Sequence, residues 1–170
     1  MSYDRGGGRS GYSGGRGERR GESPAEIWSA VWPDYLKRGY FDADGNLRPE
    51  YVGRDKAESL AEKIAAAGVT RTQIRRYFSH CKALETRLLA VPESERGARL
   101  GQLTADFQVL DSAAAYAMSK GAANLPGFFA DFIRRNIAAV RNHKDFTDGF
   151  VPHFEAVVGF GWAHYRSGQS

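Results

Sequence analysis

The stretch Val69 to Leu89, VTRTQIRRYFSHCKALETRLL, constrains the fold more than any other part of the chain. Thr70 followed by Gln73 makes a capping box, in which the hydroxyl accepts the third backbone N–H and the amide reaches back. Ile74, Tyr77, Phe78, Cys81, Leu84 and Leu88 then recur at helical spacing and share one face. At about 100° per residue, Arg71, Arg75 and Lys82 fall beside one edge of that face. Arg76, His80 and Arg87 lie beyond the other edge. Glu85 is the one acid in the stretch. Such a helix can anchor itself in a core and still present cations to a polyanion.

The same periodicity fills most of the remaining chain. Ser23-Pro24-Ala25-Glu26 is a second capping box, with proline at the first helical position. Trp28 and Trp32 follow at i, i+4. Pro33 breaks or restarts this helix, and Tyr35 and Leu36 are expected to carry it to Gly39. A helix from about Arg54 to Ala67 uses Ala57, Leu60, Ala61, Ile64 and Ala65, with Gly68 as its C-cap. After the basic helix, Pro92 to Gly97 reads as a charged connection. A fourth helix uses Leu100, Leu103, Phe107, Leu110, Ala114 and Met118 and stops near Gly121. A fifth starts near Pro126 and buries Phe128, Phe129, Phe132, Ile133, Ile137 and Val140. The last runs from about Asp145 to Tyr165 on Phe146, Phe150, Phe154, Val157, Val158 and Tyr165, bent by Gly149 and Pro152. No alternating strand pattern occurs. The fold class is therefore all-α, a helical bundle of about six helices spanning 23–166.

Residues 1–22, MSYDRGGGRSGYSGGRGERRGE, read differently. They hold eight of the twenty glycines and five arginines and offer almost nothing to bury, so they are expected to be a disordered Arg/Gly-rich tail. A non-specific RNA arm and a merely solubilising tail explain that composition equally well. Its formal G-x-G-x-x-G at Gly6, Gly8 and Gly11 is spurious, because no strand precedes it and no helix follows. The tail has no hydrophobic h-region, and no apolar run approaches the roughly 18 residues of a membrane span. The single Cys81 suits a reducing cytoplasm.

Chemistry is hard to find. His80, His143, His153 and His164 form no HExxH and no zinc spacing. Walker A, G-x-S-x-G and kinase signatures are absent. Asp42, Asp44 and Asn46 resemble the start of a calcium loop, but Leu47 stands where glycine is needed and Gly53 where glutamate is needed. An Asp/Gly/Asn turn explains them better. Glu155 is read as a cap, salt-bridge or contact residue rather than an acid catalyst. No enzyme, metal or cofactor is expected.

Cations are the positive signal. The run from Arg134-Arg135-Asn136 to Arg141-Asn142-His143-Lys144 has no acid between Asp131 and Asp145. Arg134 and Arg141, seven apart, are expected on the polar face of the fifth helix. With the basic helix and the Arg/Gly tail, this favours RNA or DNA as the partner, which the net charge of +4 permits without requiring. LAEKIAAAGVTRTQIRRYF also looks like a helix-turn-helix, although Ile64 crowds the helix crossing where such motifs usually carry alanine. A helix-turn-helix DNA-binding transcriptional regulator and a helical protein–protein adaptor therefore remain alternatives.

Several stretches in one order carry a family resemblance over about residues 27 to 165. They are Gly39-Tyr40-Phe41-Asp42 with Gly45-Asn46-Leu47-Arg48-Pro49-Glu50, then Thr72-Gln73-Ile74-Arg75-Arg76-Tyr77-Phe78 and Lys82-Ala83-Leu84-Glu85. Ala115-Tyr116-Ala117 and Phe150 through Phe154-Glu155-Ala156-Val157-Val158 complete them. The body resembles the small α-helical subunit of type III-A CRISPR effector complexes, the Csm complexes. Lys120 departs from the family, many of whose members have arginine there, and the Arg/Gly tail is no family hallmark. The resemblance implies a non-catalytic, cytoplasmic subunit in antiviral defence. Its copies stack beside other Csm subunits, and its basic helix faces line the groove for guide RNA and target RNA. Arg75 and Arg76 match the family's basic motif and are the expected phosphate contacts. Arg71, Lys82, Arg134 and Arg141 join them on helical geometry.

Overall fold

Both capping boxes form. In a computed structural model of the chain, which describes residues 21–118 and 125–167, Ser23 and Glu26 cap helix α1 (Pro24–Val31) reciprocally. Thr70 and Gln73 cap α3 (Arg71–Leu89) in the same way. The Gln73 N–H donates to Thr70 Oγ1 at 3.1 Å, and the Thr70 N–H donates to Gln73 Oε1 at 2.9 Å. Each box satisfies two donors that a bare helix start leaves without partners. The other helices are α2 (Ser59–Ala66), α4 (Glu93–Met118), α5 (Gly127–Ala139) and α6 (Val151–Gly161). The described residues thus form the expected all-α bundle, with isolated bridges and no sheet. Most of the Arg/Gly tail and the expected helix end near Gly121 lie outside the described residues. The side chains of Leu100, Leu103 and Met118 also lie outside them.

Four local expectations are corrected. The first helix does not reach Gly39. Pro33 disfavours helical backbone at Trp32, which caps α1 at φ −155° and ψ 77°. A series of turns follows, with Leu36 in the left-handed region at φ 62°. Second, Pro92 to Gly97 is no loop, because α4 already begins at Glu93, and acids in a first helical turn suit the helix dipole. Third, the last helix is not regular from Asp145 to Tyr165: a π-helical stretch, Asp145–Phe150, runs into α6, which ends at Gly161. Fourth, α5 ends at Ala139, so Arg141 lies beyond it and shares no face with Arg134. Another π-helical stretch, Arg54–Glu58, opens α2. Gly68 closes α2 as expected, taking a left-handed φ of 99° that a side chain would resist.

The core is aromatic. Phe129 and Phe132 from α5, Phe146 and Phe150 from the π-helical stretch and Phe154 from α6 are fully buried. Phe107 of α4 packs on Phe146 with ring centroids 5.2 Å apart, and Phe150 packs on Phe154 at 5.5 Å. Burial of each such ring contributes about 1.5–3 kcal/mol. The stripe of α3 docks here. Tyr77 meets Phe129 edge-on at 5.4 Å and Phe78 meets Phe154 at 5.4 Å. Cys81 on the same stripe is fully buried, and burial pushes its thiol pKa up to about 12. That docking fixes which edge of α3 carries cations outward.

One polar network crosses this core. The His153 ring places Nδ1 2.6 Å from the Tyr51 carbonyl and Nε2 2.8 Å from the Tyr35 hydroxyl. A carbonyl only accepts, so Nδ1 carries the proton and Nε2 accepts from Tyr35. Asn136 Nδ2 donates to the Tyr35 oxygen and to the Phe132 carbonyl, and Asn136 Oδ1 accepts from Tyr40 at 2.8 Å. Asn136 therefore faces the core, not the basic run with which its sequence position groups it. The network joins the turns after α1 to α5 and α6, and satisfied polar groups of this kind hold a core in one arrangement.

Candidate nucleic-acid interface

The segment after α6 folds back onto the start of α3. Tyr165 is buried and its hydroxyl donates to the Val157 carbonyl at 2.9 Å. Its ring lies over Gly161, where an added Cβ would come within 2.2 Å of the phenol, so only glycine permits this approach. One residue on, the Arg166 carbonyl accepts the Arg71 backbone N–H at 2.9 Å, and Thr70 and Arg166 form a parallel bridge. The first turn of α3 is thus capped from a distance as well as by its own box.

That fold-back puts the half-buried Trp162 beneath two arginines. The Arg71 guanidinium lies 5.3 Å from the Trp162 ring centroid, and Arg75, one turn on, lies 5.1 Å from it. Arg71 Nε also donates to the Trp162 carbonyl at 3.2 Å. Arg71, Arg75 and Arg76 line one groove with Thr72, Ser79 and Trp162. Among the described residues, no carboxylate pairs with any of these three guanidiniums. Unpaired cations on a shared surface are the arrangement that attracts phosphate.

The other three expected residues lie in different surroundings. Lys82 is bonded to Glu85, which pushes the ammonium pKa up. Arg134 is bonded to Asp131, as is Arg135, whose Nε donates at 2.6 Å. Burial raises the Asp131 pKa, but hydrogen bonds from Arg135, Arg134 and Trp28 outweigh it and hold the carboxylate below its ordinary range. The acid-free run was bounded at Asp131, yet that boundary residue sits three and four positions before Arg134 and Arg135, within reach on a helix. Arg141 lines a separate groove with Lys37, Arg38 and Asp145. The structure therefore brings Arg71, Arg75 and Arg76 together and leaves Lys82, Arg134 and Arg141 apart from them.

Trp162 is the component that sequence reasoning missed. It lies 91 residues from Arg71, and no local pattern connects the two. The turn at Asp42 forms as expected, with Asp42 Oδ1 accepting the Asp44 and Asn46 N–H groups at 3.0 and 2.9 Å. No acid, histidine and cysteine cluster suited to a metal occurs among the described residues. No helix among them is long and apolar enough to cross a membrane.

The chain is thus a small helical bundle with a surface cluster of arginines, free of carboxylate partners among the described residues, gathered at an indole. The Csm2 type III-A family matches residues 52–166, from just before α2 through Arg166, and the chain belongs to it. It is thus a small structural subunit of a type III-A CRISPR effector complex, associated with other Csm subunits. The Gly39 to Glu50 stretch that also carried the resemblance lies before the matched residues. No curated protein and no solved structure matches the chain.

Proposed function

We propose that this subunit is a non-catalytic RNA-binding scaffold that lines the guide and target RNA groove of its complex in the cytoplasm. Further copies of itself would extend the same surface. The observation that carries this reading is the groove of Arg71, Arg75 and Arg76, three guanidiniums without a carboxylate partner. Base pairing between guide and target reads sequence, so such a subunit needs only cations matched to a sugar–phosphate backbone. Lys82, Arg134 and Arg141 belong to a wider basic surface with weaker claims, because Glu85 and Asp131 already neutralise two of them.

A helix-turn-helix role fits the geometry less well. A recognition helix leads into the major groove with its first residues. Here Arg71 is held at its backbone by Arg166 and at its guanidinium by Trp162. The test is the double variant Arg75→Glu with Arg76→Glu. It should keep its helical circular dichroism, bind single-stranded RNA more weakly and show a shallower dependence of log K on log salt. Unchanged RNA affinity in the folded double variant would sink the reading and favour a protein–protein adaptor. Tighter binding to duplex DNA than to RNA would favour the regulator.

A further inference from the structure

We propose that Trp162 is a positioning residue for nucleic-acid binding: its indole is a platform that holds the Arg71 and Arg75 guanidiniums side by side, ready for phosphate. The proposal rests on the RNA-binding reading above. Its first support is geometric. Two guanidiniums one helical turn apart converge on a single ring at 5.3 and 5.1 Å, with no acid to draw them together. Like charges do not gather on a surface unaided, and the ring quadrupole attracts both.

The second support is contrast. Among the described residues, the other arginines that stack on rings are each tied to an acid. Arg135 lies 4.9 Å from the Trp28 ring centroid and is bonded to Asp131. Arg54 lies 5.4 Å from that of Phe160 and is bonded to Glu58 at 2.7 Å. Those pairs are complete in themselves. The guanidiniums of Arg71 and Arg75 keep donors for a ligand, and a stacked guanidinium loses less freedom on binding than one swinging in solvent.

The third support is that the platform is held independently of its own side chain. Tyr165 is locked by its hydroxyl and by its seat on Gly161, and Arg166 is bonded to Arg71 through its backbone. Removing the indole should therefore leave the segment in place. The prediction that separates positioning from charge follows. Trp162→Ala removes no cation, so the salt dependence of binding stays as in the wild type while affinity falls.

The experiment measures binding of a mixed-sequence single-stranded RNA oligomer by the full chain across a salt series. Trp162→Ala should bind about five- to twenty-fold more weakly, because two guanidiniums that the ring held in place must then be ordered on binding, with the wild-type salt slope. Trp162→Phe, which keeps a ring, should bind within about three-fold of wild type. Wild-type affinity in Trp162→Ala, or a salt slope reduced as in the Arg75→Glu, Arg76→Glu variant, would overturn the proposal. Acrylamide quenching of the unaltered protein supplies a test that needs no variant. Trp28 and Trp32 are buried, so accessible emission comes from Trp162. Saturating RNA should reduce quenching, and undiminished quenching would also overturn the platform. If the double glutamate variant binds RNA normally, the RNA reading itself fails. If it loses affinity and Trp162→Ala does not, only the positioning role fails.

Discussion

The Tyr35 phenol and the His153 imidazole meet at 2.8 Å in the core, although 118 residues separate them in sequence. Nδ1 is already committed to the Tyr51 carbonyl, and in the neutral ring that burial favours Nε2 accepts from the Tyr35 hydroxyl. The groups facing His153 are Tyr35, Tyr51, Trp32 and Phe132, and no carboxylate is among them. Burial raises the Tyr35 and Tyr51 pKa values, so neither offers an anion.

Acid should therefore loosen the fold. Burial pulls the His153 pKa from 6.5 down to about 4. A depressed histidine contributes stability above its unfolded pKa and loses it as pH falls from about 6.5 toward 4. The loss should approach roughly 3 kcal/mol. Urea titrations at pH 7 and pH 4.5 check this, and His153→Gln should be less stable at pH 7 but flatter across that interval. Equal wild-type stability at the two pH values would refute it.

Asp131→Asn should separate stability from ligand binding. The carboxylate accepts from Trp28 Nε1 at 2.7 Å and holds Arg134 and Arg135, so it ties α1 to α5. Its loss should cost about 1–3 kcal/mol in denaturant titration. Two released guanidiniums should at the same time strengthen RNA binding and steepen its salt dependence. A stable variant with unchanged RNA affinity would count against both halves.

Paired and unpaired cations should differ in their salt response. Lys82→Ala should leave the slope of log K against log salt nearly unchanged, because Glu85 already neutralises that ammonium. Arg75→Ala should reduce the slope by about one phosphate contact. Equal reductions from the two variants would show that ion pairing does not sort the basic surface.

Gly161→Ala tests the fold-back. The new Cβ would collide with the Tyr165 ring, so the segment must shift. Overpacking of this kind costs about 1–3 kcal/mol. Thr70→Ala, which removes only a cap, should cost about 1 kcal/mol. Thermal melts of the two variants compare these costs. RNA affinity should fall more in Gly161→Ala, where Trp162 is also displaced.

The helices were legible wherever an apolar stripe coincided with a capping signal. Thr70 with Gln73 and Ser23 with Glu26 placed the starts of α3 and α1, and Gly68 placed the end of α2. Each of those signals acts within a few residues. The misses share the opposite property. Asn136 sits in a cationic run, yet it is turned inward by Tyr35 and Tyr40, about a hundred residues away. Asp131 lies just outside the run, yet it pairs with two of its arginines. Of the expected site, Arg71, Arg75 and Arg76 could be read from one helix, whereas Trp162 beneath them is brought in by tertiary fold-back. Spacing along a chain reports neighbours on one element, and it is silent about what another element delivers.

The bond between Arg166 and Arg71 also sets an order of assembly. On the ribosome, α3 emerges long before the segment that carries Trp162, and its arginines spend that interval without their platform. Synthesis adds only about 5–20 residues per second, so the interval is several seconds. The cationic groove is consequently the last part of this body to be completed. A chain interrupted just before Trp162 keeps the Thr70–Gln73 box but lacks both the indole beneath Arg71 and Arg75 and the Arg166 carbonyl that accepts the Arg71 N–H.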